Sequence, residues 1–254
     1  MTGVLPIALA DATKVVQALL FAGKEYICVM KLHSAVPENR VQAVLEEFRG
    51  VIYQRPPVRS SVKRRLRTRK IYYLSFLEQD ERNVLFKVGC EAGTYIRKLC
   101  YDIGEVLGVS AHMQELRRTR AGPFTEEDNL VTLHDLAYLQ SRWHQTKDEA
   151  LLRKFVQPME KALESLSKVY VRDSAVDSVC HGASLAAPGV VSVETNIKPN
   201  DTLAMLTQKG EAIALAKAVA STEQILEMNH GFVAKTARVL MPRGIYPKTW
   251  RKNT

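Results

Sequence analysis

Residues 91–124, EAGTYIRKLCYDIGEVLGVSAHMQELRRTRAGPF, decide the fold. In the first half, apolar residues recur at the spacing of an amphipathic helix: Ile96, Leu99, Cys100, Ile103, Val106 and Leu107. Gly108 is a natural end for that helix. An arginine-rich run and a Gly-Pro pair follow, so the stretch predicts a helix, a strand and a turn in succession.

Tyr95 and Arg97 lie at the entrance of this predicted helix, where side chains can reach into a cleft. A tyrosine ring can stack on a base, and a guanidinium can pair with a carboxylate or a phosphate. The two residues therefore indicate a site for a flat, anionic substrate. A surface helix that carries a tyrosine and an arginine by chance is the alternative, and spacing alone does not decide between them.

The composition favours a polyanionic partner. The chain has 254 residues, a formal net charge of +9, a pI near 9.4 and 46% hydrophobic residues, enough for a substantial core. Nucleic acid is the usual partner of such a protein, and an acidic membrane surface is the competing one. Because no apolar run approaches the roughly 18 residues of a spanning helix and no signal peptide opens the chain, we expect a cytoplasmic protein.

Cysteine and histidine spacing gives no metal signature. The four cysteines form no CxxC pair, and three of them lie in apolar patterns, which favours buried, reduced thiols over zinc ligands or disulfides. The six histidines are scattered and form no HExxH or HxxxH motif. We expect no metal site.

The coarse pattern alternates strands and helices. It predicts a strand over residues 26–33, a helix over 37–48, and a hairpin of strands 71–77 and 84–90. Thr132 and Asp135 form a capping box in which the shorter Asp replaces the usual Glu, and this predicts the start of another helix. Helix-prone sequence continues over residues 145–166. From about residue 168, short β-rich runs alternate with turn signals, which predicts a small all-β barrel.

Residues 54–70, QRPPVRSSVKRRLRTRK, form a segment that we call the basic arm. Its eight basic residues are Arg55, Arg59, Lys63, Arg64, Arg65, Arg67, Arg69 and Lys70. No acidic residue lies between Glu47 and Glu78, so the arm favours contact with RNA phosphates over an ordinary solvated surface. Arginines of the later strand are predicted to extend the same RNA-binding surface: Arg117, Arg118 and Arg120.

Two motifs, GTYIRKL and LRRTRAGPF, resemble the signature of the TruB/dyskerin family of pseudouridine synthases. The resemblance runs along essentially the whole chain. It implies an α+β fold, with an incomplete catalytic domain of mixed or antiparallel sheet over residues 1–167 and a PUA RNA-binding barrel over 168–250. The sequence of the basic arm is similar to the archaeal and eukaryotic dyskerin branch.

The resemblance also implies an isomerisation of uridine to pseudouridine that needs no cofactor and no metal. A catalytic aspartate attacks the uridine, Tyr26 stacks on the base and helps to remove the C5 proton, Tyr95 lines the pocket, and Arg97 pairs with the aspartate. If Arg97 lies in the pocket without that partner, a buried unpaired charge is expected.

The catalytic aspartate is missing from the chain. In the family it lies in a GTLDPxxTGVLP loop, and this chain begins at MTGVLP, just past it. Neither Asp11 nor Asp102 is a credible replacement, so the chain as given is expected to be inactive. The alternatives are an enzyme whose longer form is active and a catalytically inactive RNA-binding ribonucleoprotein scaffold. A DNA-binding protein is a third class, without helix-turn-helix or zinc-finger spacing to support it.

The substrate stays open at this level. Family members modify uridine-55 in the T-loop of tRNA or act on rRNA with an H/ACA guide RNA and small accessory proteins. The basic arm and the PUA segment favour the guided reaction, and some archaeal members carry out both. The expected partners are therefore tRNA, guide RNA, rRNA target and accessory proteins, with no membrane.

Overall fold

The structure, a computed structural model, describes residues 1–57, 62–128 and 130–248. The chain forms two compact units. The first contains residues 1–6 and 20–155, and the second contains residues 7–19 and the chain from Val156 onward. Among the described residues, no helix has the length and apolar character needed to cross a bilayer.

The first unit is built on one mixed sheet of seven strands. They are β1 (Thr2–Gly3), β2 (Lys24–Leu32), β3 (Gly50–Gln54), β4 (Arg67–Asp80), β5 (Asn83–Cys90), β6 (Ala111–Ala121) and β7 (Phe124–Thr125). The spatial order is β1-β6-β2-β5-β4-β3, with β7 paired to β6. Among the described strands of this sheet, only the β1–β6 pair is parallel. The predicted α+β class with a mixed, largely antiparallel sheet is confirmed.

The helices before residue 156 are α1 (Val16–Phe21), α2 (Glu38–Glu47), α3 (Ile96–Leu107), α4 (Leu133–Thr146) and α5 (Leu152–Phe155). Helix α3 ends at Gly108, which has φ +76 and accepts the left-handed conformation that terminates helices. The predicted apolar face of α3 is buried, except that Val106 is 51% exposed. Gly104 faces β6 so closely that a Cβ there would lie 2.2 Å from the Ala111 nitrogen.

The core of the first unit lies on one face of the sheet. Cys28, Met30 and Leu32 alternate along β2 and are fully buried, as strand periodicity requires. They pack with β5 and with α3, whose Cys100 sulfur lies 3.6 Å from the Cys28 sulfur. All four cysteines are buried free thiols, as the sequence predicted.

The second unit contains a six-stranded sheet in the order β10-β8-β11-β12-β13-β9. Its strands are β8 (Ser167–Val171), β9 (Leu185–Ala186), β10 (Val190–Val193), β11 (Thr202–Thr207), β12 (Ala212–Ala218) and β13 (Phe232–Val239). Two short helices, α6 (Asp173–Cys180) and α7 (Thr222–Glu227), connect them. Three 3-10 helices complete the unit: Ala10–Val15, Met159–Leu163 and Ala187–Gly189.

Two local predictions after the first sheet have different outcomes. The capping box is confirmed, because the Thr132 hydroxyl accepts from the Asp135 nitrogen while the Asp135 carboxylate accepts from the Thr132 nitrogen. The helix-prone stretch 145–166 is not one helix, since α4 ends at Thr146 and only the short helix α5 and the 3-10 helix Met159–Leu163 follow. Strand β8 begins at Ser167, beside the predicted domain boundary.

Candidate active site

Strand register places one predicted site residue, Tyr26, near the end of β5 at which the loop to α3 begins. Cys90, the last residue of β5, lies opposite Lys24 of β2 and Ile71 of β4. Two residues farther along β2, Tyr26 pairs with Arg118 of β6. The loop that leads from Cys90 into α3 carries Tyr95. The strand register therefore places Tyr26 two residues from the end of β5, where the loop that leads to α3 begins.

Tyr26 is half-buried and lies opposite Arg118 in the β2–β6 ladder, close enough for the guanidinium to influence its hydroxyl electrostatically. Burial raises the pKa of Tyr26, and the nearby Arg118 opposes that rise only in part. Arg118 in turn donates from Nε to the Val4 carbonyl, 2.6 Å away. Strand β1 runs alongside at this point, with Gly3 in register with Arg118.

Lys24 of β2 and Cys90 of β5 lie opposite each other at this end of the sheet. Burial and the Arg118 charge lower the pKa of Lys24, whose Nζ donates to the carbonyls of Leu20 and Ala22. Burial raises the pKa of the Cys90 thiol to about 11, so the thiol is neutral and unreactive at physiological pH. This part of the site offers no free nucleophile.

Tyr95 is the N-cap residue of α3 and has an extended backbone, with φ −95 and ψ 100. Its own side chain makes no cap hydrogen bond. Instead, the Tyr95 nitrogen donates to Oε1 of Gln54 (3.0 Å), and Nε2 of Gln54 donates to the Tyr95 carbonyl (3.2 Å). The end of β3 therefore fixes the backbone at the helix entrance.

Arg97 lies in the first turn of α3 and is exposed to solvent. Within the described parts of the chain its guanidinium makes no ion pair. The expectation of a buried unpaired charge is wrong, because water solvates this guanidinium. Arg97 is thus free to bind an anionic group that approaches the helix entrance.

The loop between β5 and α3 is attached to the start of β4. The Glu91 nitrogen donates to the Lys70 carbonyl (2.8 Å), and a Glu91 carboxylate oxygen accepts from the Lys70 nitrogen (3.0 Å). The Arg69 side chain lies over Gly93, where a Cβ would come within 3.1 Å of its guanidinium. Strands β3 and β4, which flank the basic arm, therefore hold both ends of this loop.

The basic arm divides into exposed and structural residues. The exposed ones are Arg55, Lys63, Arg64, Arg65 and Lys70. Arg67 is half-buried, and Arg69 is packed, with 19% of its side chain exposed. Arg59 lies outside the described residues. Most of the predicted RNA-contacting residues are therefore available to a partner, whereas Arg69 already has a place in the fold.

The three arginines of β6 do not form one surface. The ladder with β2 has a bulge between Glu25 and Tyr26, so Arg118 and Arg120, two residues apart on β6, lie opposite adjacent β2 residues and therefore face opposite sides of the sheet. Arg118 faces Tyr26, whereas Arg120 donates to the Tyr73 hydroxyl (3.1 Å) beside Glu25. Arg117 is exposed and paired with Glu126. The sequence did not reveal the bulge, so it could not separate these roles.

Neither carboxylate considered in the sequence reaches the site. Asp11 pairs with Lys14, 3.0 Å away, in the second unit. Asp102 pairs with Lys98 along α3 and lines a separate groove of about 380 Å³ with Glu47 and Val106. Both are engaged elsewhere, as expected.

Gln54, Lys24 and Cys90 were not predicted from the sequence to lie at this end of the sheet. Gln54 closes a run of alternating apolar residues, GVIYQ, which hinted at a strand but gave no sign that the amide is buried. Lys24 and Cys90 meet only through strand register, which depends on residues far apart in the chain.

Comparison with known proteins identifies this arrangement. Residues 1–96 match the TruB family pseudouridylate synthase N-terminal domain, residues 97–164 the tRNA pseudouridylate synthase B C-terminal domain, and residues 167–240 the PUA domain. Proteins described as probable tRNA pseudouridine synthase B from Methanopyrus kandleri and Pyrococcus abyssi are 56% and 55% identical over 254 and 250 residues. These matches cover 100% and 98% of this chain and 75% of each relative.

Solved structures agree. A Cbf5-Nop10-Gar1 complex contains a chain with 54% identity and a TM-score of 0.94, matched over 97% of this chain and 75% of that one. An H/ACA RNP bound to a substrate RNA containing 2'-deoxyuridine contains one with 51% identity and a TM-score of 0.90, over 98% and 75%. This chain spans about three quarters of the length of these relatives. It belongs to the TruB family of pseudouridylate synthases.

Proposed function

We propose that this protein isomerises uridine to pseudouridine in RNA when an aspartate-containing catalytic segment is supplied. The observation that carries the proposal is the strand register that puts Tyr26 of β2 two residues from the end of β5, where the loop toward Tyr95 and Arg97 begins, in a chain of this family. The three side chains are an aromatic platform, a second aromatic wall and a solvated guanidinium. A uridine inside an RNA stem must be flipped out to reach them, and stacking on an aromatic ring offsets the stacking that it loses.

Tyr26 acts in this proposal as a neutral platform. Because burial raises the pKa of Tyr26, its hydroxyl keeps its proton near neutral pH. A protonated phenol stacks well but is a poor base. Strand pairing with Arg118 and Val88 fixes the backbone that carries the ring, which pre-organises the stacking surface.

We further propose that the 254-residue chain makes no pseudouridine by itself. Asp11 and Asp102 are paired with lysines, and Glu91 accepts from the Lys70 nitrogen. Arg97 is exposed and is available to pair with a carboxylate that another segment supplies. An RNA-binding scaffold without catalysis is the alternative for the chain as given.

The substrates and partners follow from the relatives. Those named as tRNA pseudouridine synthase B support action on tRNA, with uridine-55 of the T-loop as the target. The Cbf5-Nop10-Gar1 complex and the H/ACA RNP support guide-directed action on rRNA with small accessory proteins. We propose both activities, with Nop10-like and Gar1-like proteins as partners of the guided one. A cytoplasmic location stays a prediction.

The test compares two proteins on two substrates. One is the 254-residue chain, and the other carries a relative's catalytic segment, with its GTLDP motif, ahead of Thr2; we call the second the extended chain. Each is incubated with tRNA alone and with a guide–target RNA pair plus accessory proteins, and pseudouridine is mapped. We expect product only from the extended chain. Turnover by the 254-residue chain would require another nucleophile, and no product from either would leave the scaffold function.

A further inference from the structure

Gln54 is the only fully buried polar side chain of the first unit among the described residues, with 1% exposure. It is the last residue of β3, and its backbone pairs with Arg67 at the start of β4. Its side chain crosses to the entrance of α3. Gln54 therefore connects the two strands of the basic arm with the loop that carries Tyr95.

The side chain uses both amide atoms on the backbone of a single residue. Oε1 accepts from the Tyr95 nitrogen at 3.0 Å, and Nε2 donates to the Tyr95 carbonyl at 3.2 Å. Two opposed hydrogen bonds to one residue resemble a pair in an antiparallel sheet, and they fix the peptide groups on both sides of Tyr95 and so its backbone angles. A single contact would leave the peptide free to rotate.

That orientation decides where the functional side chains point. Tyr95 is the cap residue, so its backbone angles set the direction of its own ring and of the first helical turn, which contains Arg97. The Tyr95 carbonyl also accepts from the Leu99 nitrogen (3.0 Å), which ties the Gln54 amide to the first hydrogen bond of α3. A shift of the peptide would therefore move both side chains.

We propose that Gln54 is a positioning residue for the isomerisation: its buried amide holds the Tyr95 peptide so that Tyr95 and Arg97 face the flipped uridine. This inference rests on the proposed function. Gln54 itself does not touch the substrate. Small displacements of reacting groups cost about a hundredfold in rate, so loss of this amide lowers turnover while RNA binding by the exposed arm is preserved.

Gln54→Met in the extended chain is the test, because methionine keeps the length and removes both hydrogen bonds. The matched control is Gln79→Met, since Gln79 also donates to backbone carbonyls, those of Val36 and Glu81, but at the far end of β4. We expect kcat on tRNA to fall at least about tenfold for Gln54→Met, with KM and the tRNA Kd within about twofold, and the control to match the parent. Equal rates for Gln54→Met and the parent, or equal losses in both Met variants, would overturn the proposal.

Gln54→Glu covers the case in which the Met variant does not fold. A protonated carboxyl group donates and accepts as the amide does, whereas a carboxylate only accepts. The rate of this variant, relative to the parent, should therefore rise as the pH falls from about 8 to about 5. A ratio that is independent of pH would contradict the positioning role.

Hydrogen exchange separates this proposal from the proposed function. In the 254-residue chain, the Tyr95 amide should exchange faster in Gln54→Met than in the parent or in Gln79→Met, as measured by NMR. That result supports the positioning role even if the extended chain makes no pseudouridine. Unchanged exchange at Tyr95 would overturn it even if the extended chain is active.

Discussion

Arg97 shows how a single exposed side chain can matter for chemistry and not for stability. Its guanidinium lies in water at the first turn of α3, without an ion pair in the described part of the chain. Arg97→Met should therefore change the free energy of unfolding of the 254-residue chain by less than about 0.5 kcal/mol, the usual range for exposed positions. Denaturant unfolding measures this, and a loss above about 2 kcal/mol would reveal a structural partner.

The same substitution should abolish pseudouridine formation by the extended chain. Without the opposite charge of Arg97, the pKa of the supplied aspartate should rise, and its carboxylate should lose its orientation. The rate is measured at saturating tRNA, and Arg82→Met on the turn between β4 and β5 is a suitable exposed control. Activity retained by Arg97→Met would exclude the ion-pair role.

Tyr26 allows the ring and the hydroxyl to be tested separately. Tyr26→Phe keeps the stacking surface and removes only the phenolic hydroxyl, so the extended chain should retain activity within about tenfold of the parent. Tyr26→Leu removes the ring, and stacking of about 1–3 kcal/mol per base predicts a loss of about 10- to 100-fold. Single-turnover rates measure both. If the Phe variant is as slow as the Leu variant, the hydroxyl takes part in the chemistry.

At this scale the sequence could identify residues by type but not by environment. Tyr26, Tyr95 and Arg97 were predicted as site residues from their types and motifs, and their joint role stays a prediction. The burial of Gln54 could not be read, because it results from the meeting of β3 with a loop about 40 residues later in the chain.

The charged residues of the basic arm differ in exposure and therefore in function. Lys63 and Arg65 are exposed, so they are available to phosphates, whereas Arg69 packs over Gly93 beside Glu91. A Lys63→Ala/Arg65→Ala variant should bind tRNA more weakly and reduce the salt slope of binding by up to about two units, one for each lost phosphate contact. Filter binding at several salt concentrations gives the slope.

Arg69→Ala is the matched control within the same element. It should lower the melting temperature and leave the salt slope nearly unchanged, because that charge is held by the fold. An unchanged slope in the Lys63/Arg65 variant would mean that the arm is solvated surface.

The opposite face of the sheet carries a polar cluster around Glu25. Burial alone would raise the pKa of Glu25, but hydrogen bonds from Thr119 and Tyr73, with the Lys87 ammonium 3.1 Å away, hold that pKa below its usual value. A depressed carboxylate pKa contributes stability above the unfolded-state pKa, and this contribution is lost as the pH falls through the folded-state pKa.

Tyr73→Phe should therefore destabilise the chain at pH 7 by about 1–2 kcal/mol, since it removes a hydrogen bond to a charged group. The difference from the parent should shrink as the pH is lowered below the usual pKa of a glutamate. Urea unfolding at pH 7 and pH 4 measures both values. A difference that does not depend on pH would show that the lost hydrogen bond does not act through the Glu25 charge.

Element prediction succeeded where local pattern and tertiary context agree. Helix α3 has strong periodicity and a glycine end signal, and its structure follows them closely. The stretch 145–166 has helix-forming residues but no continuous apolar face to bury, so it forms only short helical segments. Strand β4 begins at Arg67, inside the basic arm, because pairing with β3 overrides the charged composition.

The whole molecule combines an RNA-modifying unit with a PUA domain, and its net charge of +9 suits a polyanionic substrate. The fold class and the family followed from the sequence, because several motifs match together. The membership of residues 7–19 in the second unit did not, since no local pattern indicates contacts with a segment about 140 residues away.

The close approach of Gly104 to Ala111 also has a genetic meaning. A methyl group at Gly104 would meet backbone atoms of β6, so α3 would have to move as a body, and its entrance lies about two turns away. A Gly104→Ala allele should thus behave as a temperature-sensitive loss of modification, although it alters no residue that meets RNA. In a mutational survey, Gly104→Ala should therefore lower modification as substitutions of Tyr95 and Arg97 do, because Gly104 lies where α3 packs against β6.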